Sequence, residues 1–196
     1  CTNGYEIFLW NDKLGKPARK VYGFYSKEHL EYLHYQNEHR KQLLEISPSD
    51  RIADRLYQIE AIRRVLNKFN NNGRKALITM ATGTGKTRVA ISLCDILIRA
   101  RYAKRVLFLC DRTELRKQAK NAFNEFLPDI PSVVLENDTA EDRNKRIYFA
   151  TYQGMINIYN KFNVGFFDLV ISDEAHRSIY NVYQELFMYF DAFQIG

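Results

Sequence analysis

Cysteine is scarce in this chain of 196 residues: Cys1, Cys94 and Cys110 are the whole set. They form no metal or redox spacing, and an odd, sparse set suits a reducing compartment, expected here to be the cytoplasm. Long hydrophobic runs are missing as well. The strongest, Val106-Leu107-Phe108-Leu109-Cys110, is far shorter than the ~20 residues a membrane span needs, so no membrane partner is expected. Proline is rare, and no repeat or low-complexity tract is present. No basic-then-apolar leader follows the first residue, which is cysteine, and we read the chain as a piece of a longer protein. What is present is ordinary for a globular domain: 46% hydrophobic and 27% charged residues, which excludes disorder, collagen and coiled coil as descriptions of the whole. The length is enough to bury a core without staples.

The net charge is +6, and its distribution says more than its sum. Residues 1–50 balance, residues 51–120 carry +12 and residues 121–196 carry −6. A basic block of that density reads as a polyanion contact or as a set of solvated helix faces. Arg63, Arg64, Arg112, Arg116 and Lys117 are its candidate contacts.

Two strands, Tyr5 to Trp10 and Arg19 to Tyr25, flank a turn punctuated by Gly15 and Pro17, which predicts a hairpin. Ser26 is positioned to cap a helix running through Leu30, Leu33 and Leu43-Leu44. Ser47-Pro48-Ser49 breaks it and is the expected linker. This divides the chain into a hairpin-plus-helix α+β segment, 1–47, and a lobe, 48–196. The lobe opens on a helix from about Asp54, with Leu56, Ile59, Ile62, Val65, Leu66 and Phe69 on one face. Apolar strands at 76–80, 106–110, 132–136, 147–150 and 168–172 then alternate with polar or amphipathic connections, and 193–196 reads as another strand. Such alternation predicts an α/β fold with a parallel sheet covered on both faces.

The strand at 76–80 feeds into Ala81-Thr82-Gly83-Thr84-Gly85-Lys86-Thr87. The pattern G-x-x-x-x-G-K-[ST] closes backbone N–H groups around phosphate oxygens, and the core Gly83-x-Gly85-Lys86-Thr87 is intact although Met80 stands at the first position. Lys86 is placed to reach the β- and γ-phosphates of ATP, Thr87 to offer a hydroxyl to Mg²⁺, and the helix start to supply free N–H groups. Asp173-Glu174-Ala175-His176 stands at the C-terminal end of the strand 168–172, where parallel sheets keep their ligand chemistry. Asp173 is expected to hold Mg²⁺, Glu174 to orient and deprotonate the attacking water, and His176 to sense the γ-phosphate side. His29, His34 and His39 lack the spacing of helical metal ligands and read as solvated or satisfied.

These segments resemble the first RecA-like lobe of superfamily-two helicases and translocases. Arg55-Leu56-Tyr57-Gln58 resembles the adenine-reading segment of that superfamily, and Arg105 to Arg112 with Leu115 and Gln118 resembles the next motif. Asp173-Glu174-Ala175-His176-Arg177-Ser178-Ile179-Tyr180 and the opening Thr2-Asn3-Gly4-Tyr5 are similar to the motor (R) subunits of type I restriction-modification enzymes. The resemblance implies a RecA-like P-loop NTPase lobe of a motor that moves along double-stranded DNA with modification and specificity subunits. It implies that Gln58, with Arg55 and Tyr57, reads adenine, and that Arg112, Gln118 and Thr151 track a DNA backbone. Such motors need a second lobe, and none is found here. The family's nuclease pattern [DE]-x-K is absent, so this piece is not expected to cut DNA. Another superfamily-two motor, or a module that binds nucleotide without turnover, remains the alternative.

Overall fold

The computed structural model describes residues 1–11, 16–136, 143–174 and 181–196. A short antiparallel hairpin comes first, β1 (Ile7–Asn11) and β2 (Lys16–Val21), with Ile7 opposite Val21 and Leu9 opposite Arg19. Then follow α1 (Lys27–His39), a 3₁₀ turn at Leu43–Glu45, α2 (Leu56–Asn70), β3 (Lys75–Ala76), α3 (Lys86–Arg99), β4 (Val106–Cys110) and α4 (Thr113–Phe126). The chain closes with β5 (Ser132–Val134), β6 (Ile147–Thr151), α5 (Tyr152–Ile156), β7 (Leu169–Ser172), α6 (Gln184–Tyr189) and β8 (Phe193–Ile195). Strands β3 to β8 form a parallel six-stranded sheet in the order β3-β8-β7-β4-β6-β5. This is the RecA-like α/β arrangement expected from the sequence, with the hairpin beside it. No helix among the described residues is long and apolar enough to cross a membrane.

The central strands are apolar on both sides because each side has its own core. In β4, Val106, Phe108 and Cys110 join the core built with α2, α3 and α4. Leu107 and Leu109 join a second core made of α5, α6 and the aromatic stretch Phe162, Phe166 and Phe167. Because the strands run parallel, their C-terminal ends all emerge along one rim of the sheet, which is where a ligand site belongs in such folds.

The expectations for the second hairpin strand, which runs over Lys16–Val21 and so takes in Pro17, for α1, for α2 and for the strand at 76–80 change on contact with the structure. Helix α1 does begin at Ser26, whose hydroxyl accepts the His29 N–H (3.3 Å), but it ends at His39 and does not reach Leu43-Leu44. The Lys41 N–H donates to the Ala100 carbonyl (3.1 Å), and this turns the chain so that Leu43 enters the lobe's core. The inward positions of α1 go to His29 and Gln36, while Leu30 is exposed. Likewise Leu56, on the apolar stripe of α2 by spacing, is 85% exposed, and Gln58 takes the inward place. Finally, the strand expected at 76–80 is regular only at Lys75–Ala76. Its ladder continues through the Ile78 N–H to Gly196 O (2.7 Å) and the Gly196 N–H to Ala76 O (3.0 Å).

The N-terminal segment is tied to the lobe through Asp191, just before β8. Its carboxylate receives Arg19 from β2, Arg74 from the turn before β3, and the Tyr25 hydroxyl. These contacts gather at the N-terminal ends of β3 and β8, away from the rim that carries the site.

Candidate nucleotide-binding site

The glycine loop leaves β3 and turns back on itself through Thr84, whose hydroxyl donates to Ala81 O (2.6 Å). Gly83 (φ +75°) and Gly85 (φ +88°) both adopt the left-handed backbone region that favours glycine. Gly85 caps the N-terminus of α3, so the first N–H groups of that helix face the loop without helical partners. Met80, which replaces the usual first glycine, is partly buried and packs on the main core, so it anchors the strand from which the loop departs.

Gly85 is required for a second reason. A Cβ there would overlap the Gln58 side-chain nitrogen. Gln58 is 1% exposed, and its Nε2 donates to Thr84 O (2.9 Å). The Tyr57 hydroxyl donates to the same carbonyl (3.1 Å), and Arg55 Nη1 donates to that hydroxyl (2.8 Å). Arg55, Tyr57 and Gln58 thus back the loop at Thr84, while Gln58 Oε1 is left without a hydrogen-bond partner. Gly85→Ala is therefore expected to cost about 1–3 kcal/mol through backbone strain alone, before the clash is counted, and to lower the melting temperature by about 2–12 °C. A thermal melt within 1 °C of the parent would contradict this account of the loop.

Opposite the loop, β7 delivers Asp173 and Glu174. The Asp173 N–H donates to Leu109 O on β4 (2.8 Å), and its carbonyl accepts the Tyr152 hydroxyl (2.7 Å). Glu174 has φ +56°, a conformation uncommon for a residue with a side chain, and its N–H donates to Asp173 Oδ1 (3.2 Å). The result is a short reach across the cleft: Lys86 Nζ lies 3.2 Å from Glu174 Oε1. Burial pushes the Asp173 pKa up, the Glu174 charge adds to the rise, and Lys86 opposes it.

The structure brings Lys86, Thr87, Asp173 and Glu174 to one cleft of about 380 Å³, whose apolar wall includes Met80, Phe108, Ile171 and Ile195. One carboxylate and one hydroxyl are the oxygen donors that a phosphate-bridging divalent cation uses alongside water. Among the described residues no three His, Cys, Asp or Glu side chains cluster to hold a metal by themselves. Thr82 and Gly83 form the exposed lip of the loop, and Thr84 beside them is half-buried. His176 lies outside the described residues.

Of the expected DNA contacts, Arg112 is exposed just past β4, and Gln118 is exposed on α4. Thr151 ends β6, and its hydroxyl accepts the Gly154 N–H (3.1 Å), capping α5. Arg116, included above in the basic block, is a correction. It is buried, and its Nη2 donates to Glu136 (2.9 Å), so it is no surface cation. The hydroxyl of Tyr152 on Asp173 escaped the sequence reading, because a tyrosine after a strand carries no signal of where its hydroxyl goes.

Comparison with known proteins matches residues 51–196 to the family described as type III restriction enzyme, res subunit. The chain is 34% identical over 154 residues to the type I restriction enzyme EcoAI endonuclease subunit of Escherichia coli, covering 74% of this chain and 19% of that protein. Against the EcoKI endonuclease subunit of Escherichia coli strain K12 it is 32% identical over 162 residues, covering 77% of this chain and 14% of the relative. It thus spans less than a fifth of the length of these curated relatives. A solved fragment described as an HsdR subunit of a type I restriction enzyme from Vibrio vulnificus YJ016 superposes with a TM-score of 0.60 at 30% identity, over 99% of this chain and 35% of that one. A match running from Arg51 to Gly196 takes in most of the chain, and this protein belongs to the family of type III restriction enzyme res subunits.

Proposed function

We propose that the chain is the first nucleotide-binding lobe of an ATP-driven motor that moves along double-stranded DNA, in the manner of type I restriction subunits. The observation that carries this is the approach of Lys86 to Glu174 at 3.2 Å, which puts a phosphate-binding cation beside a candidate base. In this reading the N–H groups of the loop and α3 hold the phosphates, and Lys86 faces the γ-phosphate. Thr87 and Asp173 would hold Mg²⁺, which would neutralise charge on the phosphate oxygens. Glu174 orients the attacking water and accepts its proton. Arg55, Tyr57 and Gln58 form the adenine end. One Nε2 hydrogen of Gln58 is used on the loop, which leaves the amide oxygen and the second Nε2 hydrogen for the base. Arg112, Gln118 and Thr151 follow a DNA backbone. Modification and specificity subunits are the expected partners, in the cytoplasm, and a second lobe completes the site.

The test is hydrolysis by a two-lobed protein carrying this chain. Duplex DNA is expected to raise the rate at least about tenfold, a drop of roughly 1.4 kcal/mol in the barrier. A rate indifferent to duplex would overturn the motor reading and leave a nucleotide-binding module. Charge reversal at Arg112 and Lys117, both exposed, should flatten the dependence of log affinity on log salt by about 0.9 for each phosphate contact removed. The same reversal at Arg116 should not act through DNA, since that side chain is already paired. An unchanged slope for Arg112 and Lys117 would make the basic block a solvated face.

A further inference from the structure

We propose that Tyr152 is a positioning residue: its hydroxyl sets the peptide between Asp173 and Glu174 and connects that pair to the turn at Thr151. This rests on the motor reading above and names a residue through which it works.

Tyr152 follows the last residue of β6, whereas Asp173 follows the last residue of β7. Strand β4 lies between them. The side chain therefore reaches over the end of β4, across about 10 Å of sheet, to place its hydroxyl 2.7 Å from the Asp173 carbonyl. A long, stiff side chain with a donor at its tip suits that span. The ring is fixed by its neighbours. It is buried, stacks on Tyr183 (centroids 5.2 Å apart, 18° between planes) and meets Phe187 edge-on (6.2 Å, 63°).

The carbonyl it holds belongs to the peptide that defines the backbone of Glu174. That residue is in the left-handed region, which costs of order 1–3 kcal/mol for a side chain of this kind. Rotation of the peptide plane would relieve the strain and carry Glu174 away from Lys86. Two anchors on that peptide oppose it: the Glu174 N–H on Asp173 Oδ1, and the Tyr152 hydroxyl on Asp173 O. The second anchor is carried by the segment expected to touch DNA. Thr151 caps α5, and Tyr152 is the next residue, so a phosphate drawing on the Thr151 hydroxyl acts on the backbone that aims the tyrosine. A phenylalanine would pack equally well here, so the hydroxyl is the feature to explain.

The variant is Tyr152→Phe in the two-lobed protein, which keeps the ring and removes the bond. We expect kcat for duplex-stimulated ATP hydrolysis to fall about tenfold, while KM for ATP and the half-saturating duplex concentration stay within about twofold. That split would not follow from a general loss of stability. Amide hydrogen exchange of the segment covering 170–174, measured without nucleotide, should speed up by about threefold or more. A kcat within twofold of the parent, or unchanged exchange, overturns the assignment. Should the parent itself show no duplex-stimulated hydrolysis, the motor reading has failed, and the exchange measurement alone decides whether Tyr152 holds the pair.

Discussion

Glu174→Gln is expected to reduce ATP turnover by about 10²–10⁴-fold, the range that a positioned general base contributes, and at the same time to tighten nucleotide binding. The second half follows from the 3.2 Å contact with Lys86. Without nucleotide, the Glu174 carboxylate stands where the γ-phosphate needs the lysine, so the two anions compete for one cation. Both side chains are partly exposed, which limits the pair to no more than about 1 kcal/mol. The gain in affinity should therefore be about two- to fivefold. The variant also removes the negative neighbour that helps raise the Asp173 pKa, so Asp173 should ionise at lower pH in Glu174→Gln than in the parent. Its metal affinity should hold further into acid. The checks are steady-state hydrolysis in the two-lobed protein and titration of a fluorescent ATP analogue at several pH values. Hydrolysis within tenfold of the parent would remove Glu174 from the base role. Weaker binding would show that its carboxylate does not compete with phosphate.

The parts of this molecule that could be read from the sequence are those whose chemistry is local. The strands β4, β6 and β7 are apolar on both faces, and they read as unbroken apolar runs. The glycine loop announces itself because Gly83 and Gly85 need positive φ. The acid pair is recognisable because it ends an apolar strand. What escaped depends on partners far along the chain. Gln36 donates to Tyr102 O and Gln58 to Thr84 O, so two polar residues turn inward on helices where spacing favoured leucines. Each amide reaches a main-chain carbonyl of a neighbouring segment, a contact that helical spacing does not show. Arg116 reads as surface charge in the sequence, but its pairing with Glu136, 20 residues on, draws it inward. Neither the reach of Tyr152 over β4 nor the convergence on Asp191 leaves any periodicity to detect.

Asp191→Asn is expected to lower the melting temperature by about 6–12 °C at neutral pH. The parent carboxylate meets Arg19 at two points (2.7 and 2.5 Å) and Arg74 at 2.8 Å, and it also accepts the Tyr25 hydroxyl. Breaking a buried ion pair on one side costs about 3–5 kcal/mol, because the surviving charges stay behind unpaired. Arg19 and Arg74 keep about a quarter of their side-chain surface in water, which argues for the lower end, near 3 kcal/mol. At 2–4 °C per kcal/mol for a chain of this size, that gives the stated range. The pH dependence fixes the cause. Burial alone would raise the Asp191 pKa, but the Arg19 hydrogen bond, the charges of Arg74 and Arg19, and the Tyr25 hydroxyl outweigh it and hold the pKa below the usual carboxylate range. A depressed carboxylate pKa means the stabilisation is complete above the unfolded value and is lost as pH falls through the folded one. Parent and variant should therefore differ fully at pH 7 and converge below about pH 4, where the unfolded carboxylate takes up its proton. Because the four groups come from β2, the approach to α1, the turn before β3 and the approach to β8, the loss should appear first as release of the hairpin. Limited proteolysis within residues 16–25 should then precede cleavage in the lobe. A melt within 2 °C of the parent at pH 7, or a difference that persists undiminished at pH 3, would mean that Asp191 does not hold the hairpin to the lobe.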